Sequence, residues 1–469
     1  MSMDHDSFDG AARNAFSRRS LLKILGASAA AACADRLSPL ARLARADARP
    51  NIIFILADDH RWDALGCMGH PFITTPHLDR LSREGVHFTN AFTTTSLCSP
   101  SRASFLTGQY AHAHGVRNNL TPWRDENVTF MELLKNAGYD TAFIGKWHMP
   151  GEGLPRLRGV DRFVSFTIQA GQGRYFDCPL YIDGGYSERP GTYITTDLTD
   201  LAIDYVSAPR QNPFCMYLSH KAVHQLFLPP PDLDHLYDNV DLKLPPEADS
   251  WVTYVRGMAF AGTVGAMEGY YRNYCECVVA LDREVGRLLD TLDRTGLSRN
   301  TVVVYAGDNG FFWGEHRLAD KRWAYEEAIR IPFIVRHPGL VPDPGRRATQ
   351  MALNIDLAPT LLELAGVPVP ANMEGRSLVP VLRSAAAPGR KAWLYENFKE
   401  FPYRVPEIRA VRTDSHIYME YGSRRKPELY DVIADPREFN NLMDTAEGDR
   451  LLPALTAMLA DLKEGREPL

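Results

Sequence analysis

The sequence is poor in cysteine, and its few cysteines do not form the pattern of a cross-linked or zinc-bound protein. Seven cysteines are spaced irregularly over 469 residues, which does not indicate a disulfide framework. No two of them form a C-x-x-C pair, so they do not indicate a zinc site either. Internal repeats and low-complexity tracts are likewise absent after the N-terminal region.

The sequence also lacks a large excess of charge of one sign. Its formal net charge of −6 argues against nucleic acid or anionic membranes as the main partner. An anionic small substrate is not excluded, because a local cluster of Lys, Arg and His can bind an anion within an acidic protein. The hydrophobic content of 45% and the charged content of 23% are typical of a globular protein.

The N-terminus is predicted to be an export signal without stable membrane insertion. Ser17–Lys23 contains a twin-arginine pattern, and the Ala-rich stretch Ile24–Ala32 that follows is too short to span a bilayer as a permanent helix. Ala44-Arg45-Ala46 offers a cleavage site. We therefore expect an exported protein, periplasmic or secreted. Lipidation at Cys33, or a basic arm on a cytosolic protein, are the alternatives.

Four apolar runs have the composition of buried parallel strands, and each is followed by polar residues and then by helical or loop sequence. This repeated pattern predicts a large doubly wound mixed sheet flanked by helices, that is, an α/β fold. The runs are Asn51–Ala57, Thr141–Gly145, Phe214–Leu218 and Thr301–Ala306. Helices are predicted at Leu78–Glu84, Ser101–Leu106, Phe130–Asn136, Tyr270–Thr295 and Asp356–Leu364.

A smaller α+β domain is predicted at the C-terminus, where the pattern changes from Ala385 onward. Ile408–Arg412 and Ile417–Tyr421 are predicted to be short antiparallel strands, and Leu451–Glu464 a terminal helix. The predicted division is 1–46 for the export signal, 47–384 for the large catalytic domain and 385–469 for the C-terminal domain.

Polar residues follow all four apolar runs, and they are expected to meet. Doubly wound sheets bind their ligands beyond the carboxyl ends of the strands, so these residues predict a site at one edge of the sheet. They are Asp58-Asp59-His60, Lys146-Trp147-His148, Ser219-His220-Lys221 and Asp308-Asn309.

The segment Leu97–Gly108 reads L-C-S-P-S-R-A-S-F-L-T-G and is predicted to begin a helix at a reactive group. Pro100 suits the first helical turn. Cys98 would then lie at a helix N-terminus, where the dipole and free N–H groups favour an anion. Arg102 lies one turn further along and can reach back towards residue 98. Taken alone, the pattern also fits a buried cysteine beside a helix start.

Asp58, Asp59, Asp308 and Asn309 supply three carboxylates and one amide oxygen at two strand ends. Such oxygen ligands suit Ca²⁺ or Mg²⁺ rather than a thiophilic metal. Adjacent Asp residues at a strand end are by themselves usually a solvated turn, and it is the second acidic pair that favours a metal site.

Several cations and imidazoles are predicted at the same edge of the sheet. Each of them alone would be a surface cation or a core histidine, but together they suit an oxyanion whose charge is spread over several oxygens. They are Arg102, Lys146, His148, Lys221, His224 and Lys321.

These residues and their order resemble the type I, formylglycine-dependent sulfatases of the alkaline phosphatase superfamily. The C-x-P-S-R segment with its trailing Leu-Thr-Gly is highly specific, whereas the other segments would be weak alone. The matching segments are Asn51–Asp59, Cys98–Gly108, Gly145–His148, His220–His224, Thr301–Gly310, Gly314–His316, Lys321 and Tyr325–Pro332.

The resemblance implies that a formylglycine-generating enzyme converts Cys98 to formylglycine, whose hydrate is the nucleophile. It implies one Ca²⁺ per chain, held by Asp58, Asp59, Asp308, Asn309 and the modified residue 98. Arg102 and Lys146 would hold the hydrate, and Lys221, His224 and Lys321 would contact the sulfate. His148 would take the proton of the second hydroxyl, and His224 or Lys321 would protonate the leaving alkoxide.

A sulfated sugar is the favoured substrate, because three regions are similar to N-acetylglucosamine-6-sulfatase-like members of the family. The regions are His114–Asn119, Tyr395–Phe398 and Ile408–Asp431. His112, His114, Asn118 and Asn119 are candidate sugar contacts; the alternative is that they cap and pack a loop.

Two other functions stay open. A formylglycine-dependent phosphonate monoester or phosphodiester hydrolase would share the same motif residues, because sulfate and phosphate esters have the same tetrahedral shape. A glycan-binding homologue that has lost catalysis is the other alternative, and the intact set of predicted catalytic residues argues against it.

Overall fold

The computed structural model describes residues 49–245, 264–422 and 424–466. The predicted export signal and Cys33 lie outside these residues. Within the described part of the chain, no helix is both long enough and apolar enough to cross a membrane.

The described residues form strands and helices that alternate along most of the chain. The strands are β1 (Asn51–Ala57), β2 (Val86–Phe88), β3 (Ala91–Phe92), β4 (Asp140–Gly145), β5 (Arg162–Ser165), β6 (Leu180–Ile182), β7 (Gly185–Ser187), β8 (Phe214–Ser219), β9 (Thr301–Gly307), β10 (Phe312–Trp313), β11 (Ala319–Asp320), β12 (Phe333–Arg336), β13 (Arg346–Ala348), β14 (Ala352–Leu353), β15 (Ala392–Asn397), β16 (Ile408–Thr413), β17 (His416–Tyr421) and β18 (Glu428–Asp431). The helices are α1 (Pro76–Glu84), α2 (Cys98–Thr107), α3 (Ala111–His114), α4 (Phe130–Asn136), α5 (Ile194–Ser207), α6 (Val264–Arg294), α7 (Glu326–Ile329), α8 (Leu357–Leu364), α9 (Val379–Arg383) and α10 (Ala446–Lys463).

A ten-stranded mixed sheet forms the centre, in the order β13-β2-β12-β9-β1-β8-β4-β5-β6-β7. The four strands predicted from apolar runs are β9, β1, β8 and β4, and they are adjacent and parallel. The antiparallel pairs lie towards the two sides of the sheet. The predicted α/β fold with a large mixed sheet is therefore confirmed.

The continuous apolar sequence of β1 follows from the burial of both faces of the sheet. Side chains alternate along a strand, so Ile53 and Ile55 enter one core with Leu281 and Leu288 of α6. Phe54 and its neighbours enter a second core on the opposite face, together with residues of α2, α4 and α8. Each fully buried side chain of this size contributes about 1.5–3 kcal/mol relative to exposure, so the strand is held from both sides.

A four-stranded antiparallel sheet, β15-β16-β17-β18, lies at the C-terminal end, and α10 contacts β15 and β16. Its apolar side chains, such as Trp393 and Ile408, share a third core with Trp323, Tyr325 and Phe92. The short antiparallel sheet expected for this region is present, and its core is continuous with loops of the larger part.

The predicted helices are present, with shifted ends. α2 begins at Cys98 rather than Ser101 and α1 at Pro76 rather than Leu78. In both helices a proline occupies the first turn, and the apolar periodicity used for the prediction begins only after it. The Asp356–Leu364 prediction divides into a 3-10 turn at Asn354–Asp356 and α8.

Asp282 of α6 stabilises the start of α1, and its removal is expected to be costly. Its Oδ1 accepts hydrogen bonds from the backbone N–H of Leu78 at 2.7 Å and of His77 at 3.1 Å. Asp282→Ala leaves both donors without this acceptor, so we expect a loss of about 1–3 kcal/mol in the free energy of unfolding. Asp290→Ala, two turns further along α6, removes an exposed ion pair with Arg80 and is expected to cost about 0–1 kcal/mol. Denaturant unfolding followed by circular dichroism measures both, and equal losses would contradict this role.

Candidate active site

The N-terminus of α2 lies at the carboxyl edge of the parallel strands. All ten residues of α2 are buried, and Leu97, before it, has an extended backbone. The backbone N–H of Ser101 donates to Leu97 O at 3.0 Å, so the first helical turn is closed around Pro100. Cys98 is thereby placed at a helix start inside the protein, as its sequence context predicts.

Three carboxylates meet next to this helix start. Oxygens of Asp58, Asp59 and Asp308 lie within 4.8 Å of one another, and all three residues are buried. The backbone N–H of Asp59 donates to Asp308 Oδ1 at 3.0 Å. Arg102 reaches Asp308 Oδ2 through Nε at 3.0 Å and Nη2 at 2.9 Å. Arg102 of α2 is therefore bonded directly to Asp308 after β9, and Asp308 is bonded to the backbone of Asp59 after β1.

Two lysines complete the charge balance of this cluster. Lys146 Nζ forms an ion pair with Asp58 Oδ2, and Lys321 Nζ forms one with Asp59 Oδ1. With Arg102, three cations lie against three buried carboxylates. Such balance is required, because an unpaired buried charge costs several kcal/mol.

The three carboxyl groups differ in how easily they lose a proton. Burial favours the neutral form of Asp58, but the surrounding cations, Lys146 foremost, outweigh burial and hold its pKa well below the ordinary value. Burial raises the pKa of Asp59, against the effect of Lys321. Burial and the charge of Asp58 raise the pKa of Asp308 to about 7. The cluster therefore concentrates its negative charge on Asp58.

Two oxygens in the cluster fit a bound cation. Asp59 Oδ2 and Asn309 Oδ1 are buried and have no hydrogen-bond partner among the described residues, although buried polar atoms are nearly always partnered. Asn309 Nδ2 donates to Asp59 Oδ1 at 2.7 Å and to Gly310 O at 2.8 Å, which leaves Oδ1 as an acceptor. Carboxylate and amide oxygens are the ligands that hard divalent cations such as Ca²⁺ prefer.

Cys98 is in direct contact with this cluster. Its Sγ lies 3.1 Å from Lys321 Nζ and 3.5 Å from Asp58 Oδ1. Burial raises the pKa of the thiol far above its ordinary value, although Lys321 opposes this effect. An unmodified Cys98 is therefore protonated at neutral pH and is a poor nucleophile, because the thiolate is the reactive form.

His148 is joined to Lys146 through Gln172. Gln172 Oε1 accepts from Lys146 Nζ at 2.5 Å, so its amide nitrogen faces His148 Nε2 at 2.8 Å. The hydrogen-bond pattern thus assigns the lone pair of the imidazole to Nε2. Burial and the charge of Lys146 hold the pKa of His148 well below its ordinary value. The ring is neutral and can accept a proton.

Lys221 and His224 lie on the loop after β8. His224 Nε2 lies 3.8 Å from Asp59 Oδ2, and its Nδ1 lies 2.6 Å from Gln225 O. Lys221 Nζ donates to Gln225 O at 3.1 Å and lies over the Tyr175 ring. Burial and the charge of Lys146 lower the pKa of Lys221 to about 8. The residues predicted to hold the metal, the nucleophile and the sulfate thus lie in the cluster or interact electrostatically with it. Of the other strand-end residues, His60 instead contacts Tyr305 Oη at 2.5 Å, and Trp147 packs in the apolar core.

The four candidate sugar contacts have different surroundings. His114 is fully buried; its Nε2 lies 3.1 Å from Ser104 Oγ, and its Nδ1 accepts from Val116 N at 3.1 Å. Asn118 Oδ1 accepts from Leu120 N, which caps a turn. Both residues therefore cap and pack their loop, which is the alternative to contacting a sugar.

The other two candidates differ in what they contact. Asn119 Oδ1 accepts from the backbone N–H of Ser99 at 3.0 Å, next to Cys98. His112 is partly exposed, and its Nδ1 lies 2.9 Å from Glu396 Oε2. Asn119 thus orients the helix start, and His112 is the more accessible of the two.

One residue in the site, Gln172, was missed by the sequence analysis. It follows a 3-10 turn and carries no motif that could have identified it. Ser219, the last residue of β8, was expected at this edge by its strand-end position but was given no role. It accepts from Arg102 Nη1 at 2.6 Å and donates to Lys146 O at 2.7 Å.

Comparisons with known proteins show which families and solved structures the chain is similar to. The family model described as Sulfatase matches residues 50–367, and a model described as N-sulphoglucosamine sulphohydrolase, C-terminal, matches residues 314–465. The chain is 33% identical to N-acetylglucosamine-6-O-sulfatase of Bacteroides thetaiotaomicron, over 89% of this chain and 86% of that protein. A protein solved in complex with its substrate D-glucosamine-2-N,6-O-disulfate has a TM-score of 0.83 and 31% identity, covering 89% of this chain and 98% of that chain. The phosphonate monoester hydrolase of Agrobacterium radiobacter has a TM-score of 0.74 at 20% identity, covering 89% and 96%, which shows a shared fold.

Asn309→Ala is expected to weaken binding of a hard divalent cation, tested with Ca²⁺, at least about tenfold, because it removes one of the two buried oxygens that fit a cation. Calorimetric titration of the metal-stripped protein with Ca²⁺ measures this, and the thermal midpoint of the wild-type protein should rise with Ca²⁺. Asn397→Ala is the matched control, since Asn397 is equally buried and also has an amide oxygen without a hydrogen-bond partner in the described structure, but lies on β15. Equal Ca²⁺ affinities of the two variants would contradict the metal site.

Proposed function

Since the chain belongs to the sulfatase family and is a sulfate ester hydrolase, we propose that it removes sulfate from a sulfated carbohydrate with a formylglycine made from Cys98. The observation that carries this proposal is the position of Cys98. The residue is buried at the start of α2, 3.1 Å from the Lys321 ammonium and beside three balanced carboxylates.

Conversion of Cys98 to formylglycine is supported by the chemistry of its surroundings. A thiol with a raised pKa is a weak nucleophile, so the cysteine itself suits the site poorly. When residue 98 carries an aldehyde, its hydrate supplies a nucleophilic oxygen and a second hydroxyl through which sulfate can be expelled. Maturation by a formylglycine-generating enzyme is therefore part of the proposal.

One Ca²⁺ is proposed in the cluster of Asp58, Asp59, Asp308, Asn309 and residue 98. When bound, the ion supplies positive charge that favours ionisation of a hydroxyl and neutralises sulfate oxygens. The orphaned oxygens of Asp59 and Asn309 support this assignment.

The remaining residues are proposed to hold the reacting groups and to move protons. Arg102 and Lys146 orient residue 98. Lys221, His224 and Lys321 bind the sulfate oxygens and oppose charge that develops on them. His148 accepts the proton of the second hydroxyl. His224 or Lys321 protonates the departing alkoxide.

A sulfated sugar is proposed as the substrate on the strength of the relatives. The 33% identical relative is an N-acetylglucosamine-6-O-sulfatase, and another relative, 31% identical over 88% of this chain, is an ulvan-active sulfatase. The phosphonate hydrolase alternative is less well supported, because the likeness to that enzyme rests on 20% identity.

Export through the twin-arginine route is proposed from residues 17–46, which include the Arg18-Arg19 pair. A folded and converted protein would then reach the periplasm or the medium, where it would meet a glycan. Detection of the mature chain outside the cytosol, with its N-terminus near Asp47, is the expected observation.

Gln172→Ala is expected to lower kcat about tenfold, because the amide both orients His148 and contacts Lys146. The acidic limb of the pH profile should shift to higher pH, since a hydrogen bond donated to the Nε2 lone pair favours the neutral ring and its loss raises the pKa of His148. Gln169→Ala, an exposed residue of the same turn, is the control. A variant of Gln172 with an unshifted pH profile would show that the contact is only structural.

Cys98→Ala is expected to abolish sulfate release, whereas Cys67→Ala is expected to keep it. Cys67 is a half-buried cysteine outside the cluster. Sulfate release would be measured by ion chromatography on sulfated sugars and aryl sulfates, with an aryl phosphonate in parallel, using protein co-produced with a formylglycine-generating enzyme. Turnover by Cys98→Ala equal to wild type would sink the proposal. Preference for the phosphonate, with residue 98 shown by mass to be an aldehyde, would favour the alternative.

A further inference from the structure

A cleft of about 550 Å³ lies beside the active site, between the loop at residues 399–406 and the loop that carries Lys321. Its size is in the range of small-ligand sites. We call it the basic cleft and define it by six of its lining residues, which are Trp323, Lys399, Glu400, Tyr403, Arg404 and Arg425.

The walls of the basic cleft carry more positive than negative charge. Lys399 and Arg404 are exposed, and their side chains form no ion pair within the described structure. Glu400 is the acidic residue of the wall, and both of its oxygens are engaged. Its Oε1 accepts from Arg322 Nη2 at 2.8 Å, and its Oε2 accepts from Asn119 N at 2.6 Å. Two cations thus face the cleft without compensation in a protein whose formal net charge is −6.

The cleft also offers aromatic surface. Trp323, which lines it, is 8% exposed. Tyr403 forms part of the same wall, and Arg322 lies over its ring at 3.6 Å. Phe401 on the same loop is 85% exposed. Aromatic faces with cations beside them suit a sugar ring that carries an anionic substituent.

Short connections join the basic cleft to residue 98. Lys321 lies 3.1 Å from Cys98 Sγ, and Trp323 follows it by two residues, roughly 7 Å of chain. A second connection runs from Glu400 to Asn119, whose Oδ1 accepts from the N–H of Ser99. The wall of the basic cleft is therefore connected to the helix start through one lysine loop and through one pair of hydrogen bonds.

We propose that the basic cleft binds a second anionic group, a carboxylate or a sulfate, on the same glycan whose sulfate ester is hydrolysed at residue 98. This inference rests on the proposed function and names its substrate class as a polyanionic glycan. Lys399 and Arg404 determine the preference for substrates with two anionic groups, because they attract the second negative charge. The chemistry at residue 98 does not depend on them.

The test compares substrates with one anion and with two. The first is N-acetylglucosamine 6-sulfate. The second is glucosamine 2-N,6-O-disulfate, in which an N-sulfate replaces the acetyl group. The third is a 6-sulfated disaccharide with a hexuronate carboxylate, so that the two sources of the anion are distinguished. We expect Lys399→Gln and Arg404→Gln each to lower kcat/KM about fivefold on at least one two-anion substrate. The one-anion substrate should stay within about twofold.

The controls separate charge from structure. Arg404→Lys keeps the charge and should retain the preference. Arg424→Gln removes an exposed cation that does not line the cleft, and it should change neither substrate. Raising the salt concentration should reduce the wild-type preference for two-anion substrates, because exposed charges are screened. Equal effects of the cleft variants on all three substrates, or none, would overturn the inference.

A binding measurement keeps the cleft testable if the proposed function fails. A hexuronate disaccharide without a sulfate ester is titrated into wild-type protein and into the Lys399→Gln, Arg404→Gln double variant. Tighter binding by the wild type supports the basic cleft even if no sulfate ester is turned over, and equal binding argues against it. Absence of turnover on every substrate counts against the proposed function alone.

Discussion

Three carboxylates, Asp58, Asp59 and Asp308, are buried together, and burying them requires that cations lie against them. Arg102 supplies much of the positive charge that lies against these carboxylates. Its guanidinium contacts Asp308 twice and also donates to Lys146 O and Ser219 Oγ. The helix that begins at Cys98 is thereby joined to the ends of β4, β8 and β9 at once. The orientation of the nucleophile and the charge balance of the acids are one constraint.

The order of the strands makes this convergence possible. β9, β1, β8 and β4 are adjacent and parallel, so their carboxyl ends lie in a row along one edge. Apolar cores that pack on both faces of the sheet stabilise these four strands in place. The polar residues after each strand are then directed to a shared space, and no other segment needs to bring them together.

The C-terminal sheet contributes to the site through the loop of Lys321. Tyr395 of β15 contacts Ser96 Oγ at 2.6 Å, before the helix start, and donates to Arg322 O at 3.1 Å. Glu400, beyond the same strand, pairs with Arg322. The sheet therefore supports both the lysine that reaches Cys98 and the wall of the basic cleft.

Local patterns in the sequence determined the four central parallel strands, two strands of the C-terminal sheet, most helices and the residues of the central cluster. Burial of both sheet faces requires a continuous apolar run, and a polar pair after such a run marks a strand end, so these signals are readable without long-range information. The tertiary structure decided what depends on contacts between distant segments. Gln172 meets His148 from a turn without periodicity, His114 is enclosed by its own loop, and Lys399 and Arg404 face a cleft that two separate loops form. Exposed loops carry no repeating pattern, because their side chains are not constrained by packing, and so their part in the site became visible only when the chain was folded.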